Sequence, residues 1–205
     1  MSEECKVFKA AFKQFSVQLL EDCKSISEVC LEQSSKNPIH IMDTLMDLPW
    51  CGFHSPEHHI MVGSALLTAF KNAGGNIDLK EALEEMYNRG KTVPGSICAF
   101  WGACGAGIST GIYMSIVTGS MPTAVEEWGL SNLMTSRSLA KIGAIGGPRC
   151  CKRDAYLAIS EAVAFTAEHL GVQMELDEEI VCSRCAKNKQ CIGTRCPFNP
   201  GKHIK

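Results

Sequence analysis

The sequence predicts a mainly α-helical single domain, organised around a buried central helix and ending in a small cysteine-rich loop. Three observations carry this. Apolar residues recur at helical spacing through most of the first 170 residues. No charge occurs between Lys91 and Glu126, and a helix apolar on all sides must be buried on all sides. Four cysteines fall within the fifteen residues from Cys182 to Cys196, beyond the last periodic segment. The expected division is a helical domain over 1–176 and a four-cysteine tail over 177–205 packed on it.

At 205 residues the chain suits one domain with a real core. Its formal charge of −2, with the signs mixed, argues against nucleic acid and anionic membrane surfaces as partners. The start, Met1-Ser-Glu-Glu-Cys-Lys, lacks the apolar run of a secretory signal, so a cytoplasmic location is expected. Twelve cysteines are many for a reducing compartment, where clustered thiols point to metal binding or catalysis before disulfides.

Residues 4–34 read as one long or two short helices, with Val7, Phe8, Phe12, Phe15, Val17, Leu19, Leu20, Ile26, Val29 and Leu31 as the apolar stripe. Cys5, Cys23 and Cys30 on that pattern are ordinary core or surface thiols. A break at Ser34–Pro38 precedes a short helix over 39–48. Next comes Cys51-Gly-Phe-His54-Ser-Pro-Glu-His58-His59. Ser55 suits an N-cap and Pro56 the first helical position, which makes His58 and His59 N3 and N4 of a helix running to Asn72. N′ and N4 side chains meet at a helix start, so His54 and His59 should be close, with Cys51 nearby. A helix N-terminus keeps imidazoles neutral, ready to bind metal or accept a proton.

Asp78-Leu-Lys-Glu81 is a capping box opening a helix closed by Gly90, and Thr123-Ala-Val-Glu126 repeats the signature before a helix ending near Gly143. Between them the stretch from Ile97 to Val117 is long enough to span a bilayer and contains Gly107-xxx-Gly111, a membrane-helix packing motif. Gly102, Gly105 and Gly107 in its first half favour a buried helix reached through a glycine-rich loop. Pro148 should start the last long helix, stopped by Gly171. Cys150 and Cys151 would lie in its first turn beside Arg149, Lys152 and Arg153, an environment expected to lower a thiol pKa. Val172–Leu176 alternates like a short strand.

The tail pattern is C-x2-C-x5-C-x4-C-P, formed by Cys182, Cys185, Cys191 and Cys196. Neither a core nor a solvated face requires it, so it is read as one metal centre. Zinc knuckles are more widely separated, and a closing Cys-Pro also ends bacterial ferredoxin runs, which favours an iron–sulfur cluster, [4Fe-4S], with zinc as the competing reading.

The motifs Cys51-Gly-Phe-His54, Pro94-Gly-Ser-Ile-Cys98, Trp101-Gly-Ala-Cys104-Gly, Gly147-Pro-Arg-Cys150-Cys151 and Asn188-Lys-Gln-Cys191…Cys196-Pro-Phe resemble an uncharacterised domain-of-unknown-function family of anaerobic bacteria and archaea, sometimes fused to methyltransferase-like domains. The resemblance covers residues 40–200 and implies a cysteine-rich metal domain, with no catalytic residue carried over.

Two functions compete. In the first, the protein is an iron–sulfur or zinc enzyme of anaerobic small-molecule or sulfur metabolism. Cys104, Cys150, Cys151 and His59 are then the catalytic candidates; Cys98, Gly102 and Gly105 the cofactor-binding ones; and Cys51, His54 and His58 join the tail thiols as metal ligands. In the second, it is an accessory or electron-transfer module with a methyltransferase or redox partner. A homo-oligomer is compatible with either, and the small-molecule substrate is not legible. The discriminating expectation is that Cys51 to His59, Cys98 to Cys104, and Cys150–Cys151 converge on one site.

Overall fold

The computed structural model describes residues 11–12 and 14–202. Within them the chain is helical without strands, in the order α1 (Val17–Asp22), α2 (Ser25–Leu31), α3 (Pro38–Met46), α4 (His58–Asn72), α5 (Leu79–Gly90), α6 (Ile97–Phe100), α7 (Gly105–Thr118), α8 (Glu126–Ile145) and α9 (Cys151–Leu170). Single 3₁₀ turns follow at Cys185–Lys187, Gly193–Arg195 and Pro200–Lys202. The helical class expected from periodicity is the observed one.

Two helices share the centre. α4 is the more completely enclosed: every residue from His58 to Phe70 is buried, with α2, α3, α5, α7 and α9 packed around it. α7, the charge-free stretch, packs against α4, α5, α8 and α9. It buries Ala106, Ser109, Thr110, Tyr113 and Met114 but leaves Ile108 and Ile112 partly exposed. The uncharged run is thus split into α6, a four-residue loop and α7, and no helix among the described residues is long and apolar enough to cross a membrane. Gly107-xxx-Gly111 is instead the seat of α8. Leu139 packs on Gly107, Thr135 packs on Gly111, and an added methyl at either glycine would overlap them. The Thr110 hydroxyl, hydrogen-bonded to Ser138 at 2.9 Å, fixes the same contact.

Local signals set several boundaries. Asp78 Oδ1 accepts the Glu81 N–H at 2.9 Å and opens α5 as the capping box requires. Gly171, at φ 68°, closes α9. Elsewhere the structure departs from expectation. The apolar stripe of residues 4–34 breaks at Cys23–Lys24, which resets the register: Ile26 is buried while Val17 is 87% exposed. Residues 4–10, Cys5 among them, lie outside the described residues. α4 begins at His58, because Pro56 and Glu57 form a tighter turn in which the His59 N–H reaches the Pro56 carbonyl at 2.8 Å. Thr123 caps nothing: a turn closes from Ala124 to Met121, and α8 starts at Glu126 with Val125 before it. α8 runs through Gly143 to Ile145, with Val125, Trp128 and Leu133 exposed. The Gly147–Pro148 bond is cis, and α9 starts beyond it at Cys151, with Cys150 as its N-cap residue. Val172–Leu176 is extended without a strand partner, and the Glu175 N–H donates to the Lys36 carbonyl at 2.9 Å.

Candidate functional site

The start of α9 is the meeting point. Cys150 and Cys151, adjacent there, line two different pockets.

Cys150 faces the tail. Cys150, Cys182, Cys185, Cys191 and Cys196 line one pocket, walled by Phe53, Ile192 and Phe198. The tail reaches this shape through short local bonds and one long-range clamp. The Cys191 N–H donates to the Asn188 carbonyl at 3.0 Å and the Cys196 N–H to the Gly193 carbonyl at 2.9 Å, turning the chain at each cysteine. The Cys182 N–H donates to the Phe198 carbonyl at 2.8 Å, closing the loop on itself. Backbone N–H groups also point at sulfur: that of Arg184 lies 3.4 Å from Cys182 Sγ, and that of Phe198 donates to Cys196. The side-chain amide of Asn188 reaches Cys150 Sγ at 3.5 Å, tying the fifth thiol to the tail. Burial raises the Cys182 thiol pKa, and the neighbouring Cys150, Cys185 and Cys196 raise it further.

Cys151 faces the second pocket, of about 430 Å³, together with His54, His59, Cys98, Cys104, Gly105, Arg149 and Asp154. The three segments expected to converge do so here. Their backbone is adapted to it. Cys104 is the N-cap residue of α7. Gly105 lets the α7 backbone lie against the His59 ring, which any Cβ there would overlap. Gly102 meets no neighbour; its role is the left-handed φ of 67° in the loop before α7. Ser96, at the mouth, is a non-glycine residue at φ 74°, a conformation that costs of order 1–3 kcal/mol and gathers at functional sites. His59 is buried with Nδ1 3.0 Å from the Val93 carbonyl, so Nδ1 carries the proton and Nε2 the lone pair. Burial lowers its pKa and keeps the ring neutral.

The second pocket opens into a cleft of about 930 Å³ that shares Cys98, Cys104, Arg149 and Asp154 with it and adds Gly102 and the apolar wall of Leu139 and Ile142. Asp154 sits at the junction. Its Oδ1 accepts Arg153 Nε at 3.0 Å, and the Cys104 thiol donates to Oδ2 at 3.8 Å. Arg153 is held in turn by the carbonyls of Gly146 and Pro148.

Cys51 and His58 belong to a third, buried group. Cys51, Glu57 and His58 present ligand atoms that all lie within 4.8 Å of one another, the only such trio among the described residues. A cation is already beside them: the Lys152 ammonium donates to His58 Nε2 at 2.8 Å, to the Gly52 carbonyl at 3.2 Å and to Cys51 Sγ at 3.5 Å. His58 Nδ1 lies 3.1 Å from the Ser55 carbonyl, and burial followed by the Lys152 charge pushes its pKa well down. Glu57, fully enclosed, accepts the Gly52 N–H at 2.8 Å through Oε1, while Oε2 has no hydrogen-bond partner. His54 lies apart from this trio, with Nε2 3.4 Å from Asn188 Oδ1, between the two thiol pockets.

The expectation of lowered thiol pKa values at Cys150–Cys151 is overturned. Both are raised, Cys151 to about 12, first by burial and then by Asp154. The cations are engaged elsewhere, Arg153 on Asp154 and Lys152 on Cys51 and His58. Sequence reading missed Asp154, Arg184 and Asn188. Asp154 was findable, because positions three and four beyond a helix start lie over it, and so over Cys150 and Cys151. Arg184 and Asn188, set among tail residues, carry no sequence signal of their roles.

Residues 26–199 match the family of unknown function (DUF5714). The chain belongs to that family. The match begins at residue 26, earlier than the resemblance had suggested, so most of α2 lies within the family domain along with every cysteine of the two thiol pockets. No curated protein and no solved structure matches the chain.

Proposed function

We propose that this chain is an iron–sulfur protein in which Cys182, Cys185, Cys191 and Cys196 hold a [4Fe-4S] cluster, and that it acts as an enzyme of anaerobic small-molecule or sulfur metabolism. The observation that carries the reading is that all four tail thiols line one pocket. The donor chemistry fits: soft thiolates, N–H groups directed at sulfur, and an apolar wall of Phe53, Ile192 and Phe198. The spacing favours a cluster over zinc. Thiolates bound at about 2.3 Å to a tetrahedral ion stand about 3.8 Å apart. The tail thiols do not close to within 4.8 Å as a trio, and they ring a cavity instead.

A cluster there would supply one-electron transfer. This chain's own residues would do the rest. Phe53 and Phe198 would exclude water, Asn188 would hold Cys150 against the centre, and the cleft beside Cys98 and Cys104 would admit the substrate. Convergence of three cysteine- and histidine-bearing segments on the second pocket, beside that cleft, favours an enzyme over an electron-transfer module for a methyltransferase or redox partner.

The test is anaerobic purification or reconstitution, with iron and acid-labile sulfide analysis and a visible spectrum. The reading expects a broad thiolate-to-iron band, and loss of about four irons when the four tail cysteines are changed to serine. One zinc per chain lost by the same variant would replace the cluster with a structural ion.

A further inference from the structure

The second pocket holds more ligand chemistry than a substrate cleft needs. Three thiols from three elements reach it: Cys98 on α6, Cys104 at the start of α7 and Cys151 at the start of α9. His59 adds an imidazole that is 9% exposed, with Nδ1 committed to the Val93 carbonyl and, among the described residues, no hydrogen bond to Nε2. Metal-bound histidines are oriented in this way, the second nitrogen donating to a carbonyl. Cys51 and His58, by contrast, are satisfied by Lys152.

The geometry points to a second iron–sulfur cluster in this pocket, held by Cys98, Cys104 and Cys151, with His59 Nε2 facing its fourth iron. A single ion fits less well, since among the described residues no trio of ligand atoms here closes to within 4.8 Å. The cleft lined by Leu139, Ile142 and Arg149 reaches this centre past Cys98 and Cys104. The two centres would then be ligated or flanked by adjacent residues, Cys150 and Cys151, whose Cα atoms are about 3.8 Å apart. Electrons arriving at the tail would have a short path to the centre that meets the substrate.

This inference rests on the iron–sulfur reading but on different cysteines. The anaerobically reconstituted full chain is expected to hold about eight irons, the tail variant about four, and Cys98→Ser/Cys104→Ser/Cys151→Ser about four. Unchanged iron in that triple variant overturns the second cluster, whereas unchanged iron in the tail variant overturns only the first. Loss of one zinc from the triple variant, with iron intact, also overturns it in favour of a mononuclear site. Should the triple variant fail to fold, electron paramagnetic resonance of the reduced intact protein decides: magnetic coupling between two clusters is expected, and a single uncoupled signal rejects the pair. His59→Gln should shift the signal of the second cluster without loss of iron; an unshifted signal removes His59 from the site.

Discussion

Arg184 Nη1 donates to Asp43 Oδ1 at 2.6 Å, joining residues 141 positions apart in the chain. The same guanidinium reaches the Asp43 carbonyl at 3.0 Å and Asp47 Oδ1 at 2.6 Å, while Tyr156 adds its hydroxyl to Asp43. Arg184 lies between Cys182 and Cys185, so this clamp fixes the first two tail thiols to α3 and α9. The edge-on contact of Phe198 with Tyr156, centroids 5.2 Å apart, secures the other end of the loop. The tail therefore has protein anchors of its own.

Arg184→Met should loosen the tail more than the helices. Hydrogen bonds to charged groups are each worth about 1.5–3 kcal/mol, and truncation leaves Asp43 without its cation. Amide exchange in residues 180–200 should accelerate at least tenfold in the metal-free protein, with α4 and α7 little changed. Unaltered tail protection would show that the clamp is incidental.

What could be read in advance follows the reach of each signal. The Asp78–Glu81 box acts over three residues and opens α5 as written. Thr123–Glu126 has the same letters, yet the turn from Met121 to Ala124 takes that backbone first. The gathering of the tail thiols on one pocket was legible because their spacing is local in sequence. The meeting of Cys98, Cys104 and Cys151 depends on how α4, α7 and α9 pack, which spacing cannot encode, although each segment was visible as a cluster. Lys152 was read as one of the cations lowering thiol pKa values; its burial at 2% exposure is a tertiary fact, since lysine is almost never enclosed unless paired.

Cys30 should behave as a core thiol. It is fully enclosed in α2, and burial pushes its pKa from 9.0 to about 12. A thiol with a raised folded pKa stabilises the fold fully below pH 9, and that contribution is lost as pH rises from 9 towards 12, by up to about 1.4 kcal/mol per unit. Native protein at pH 8 should leave Cys30 unlabelled by a maleimide, while unfolded protein labels it. The alkaline loss of stability should be shallower in Cys30→Ala, and an identical pH profile would refute the assignment.

Gly111→Ala tests the α7–α8 seat. The new methyl would overlap Thr135, whose hydroxyl also bonds the Ser131 carbonyl at 3.1 Å. Overpacking costs about 1–3 kcal/mol, set against a gain of up to about 1 kcal/mol in helix propensity. A net loss is expected in denaturant unfolding, and Gly111→Ala/Thr135→Ala should recover most of it. A stabilised single variant would mean that the helices separate without penalty.

Lys152 and a divalent cation should prove alternatives in the buried group of Cys51, Glu57 and His58. The ammonium is the only cation in contact with these atoms among the described residues, and Glu57 carries an oxygen with no hydrogen-bond partner. Removing the ammonium by Lys152→Ala leaves a thiol, an imidazole and a carboxylate within 4.8 Å of one another, a donor set suited to zinc. The apo variant should be less stable than the parent, because a buried carboxylate loses its nearby cation. Zinc should restore it, by about 2.7 kcal/mol at a hundredfold excess over Kd. The measurement is best made with the four tail cysteines already changed to serine, so that the tail cannot bind the added ion. Thermal unfolding with and without zinc then separates the outcomes. A zinc-dependent rise confined to the Lys152→Ala chain, and abolished by adding Cys51→Ser, establishes the exchange. An equal rise in the chain that retains Lys152 would show that the lysine does not hold the site, and that Cys51 and His58 take metal in the native protein.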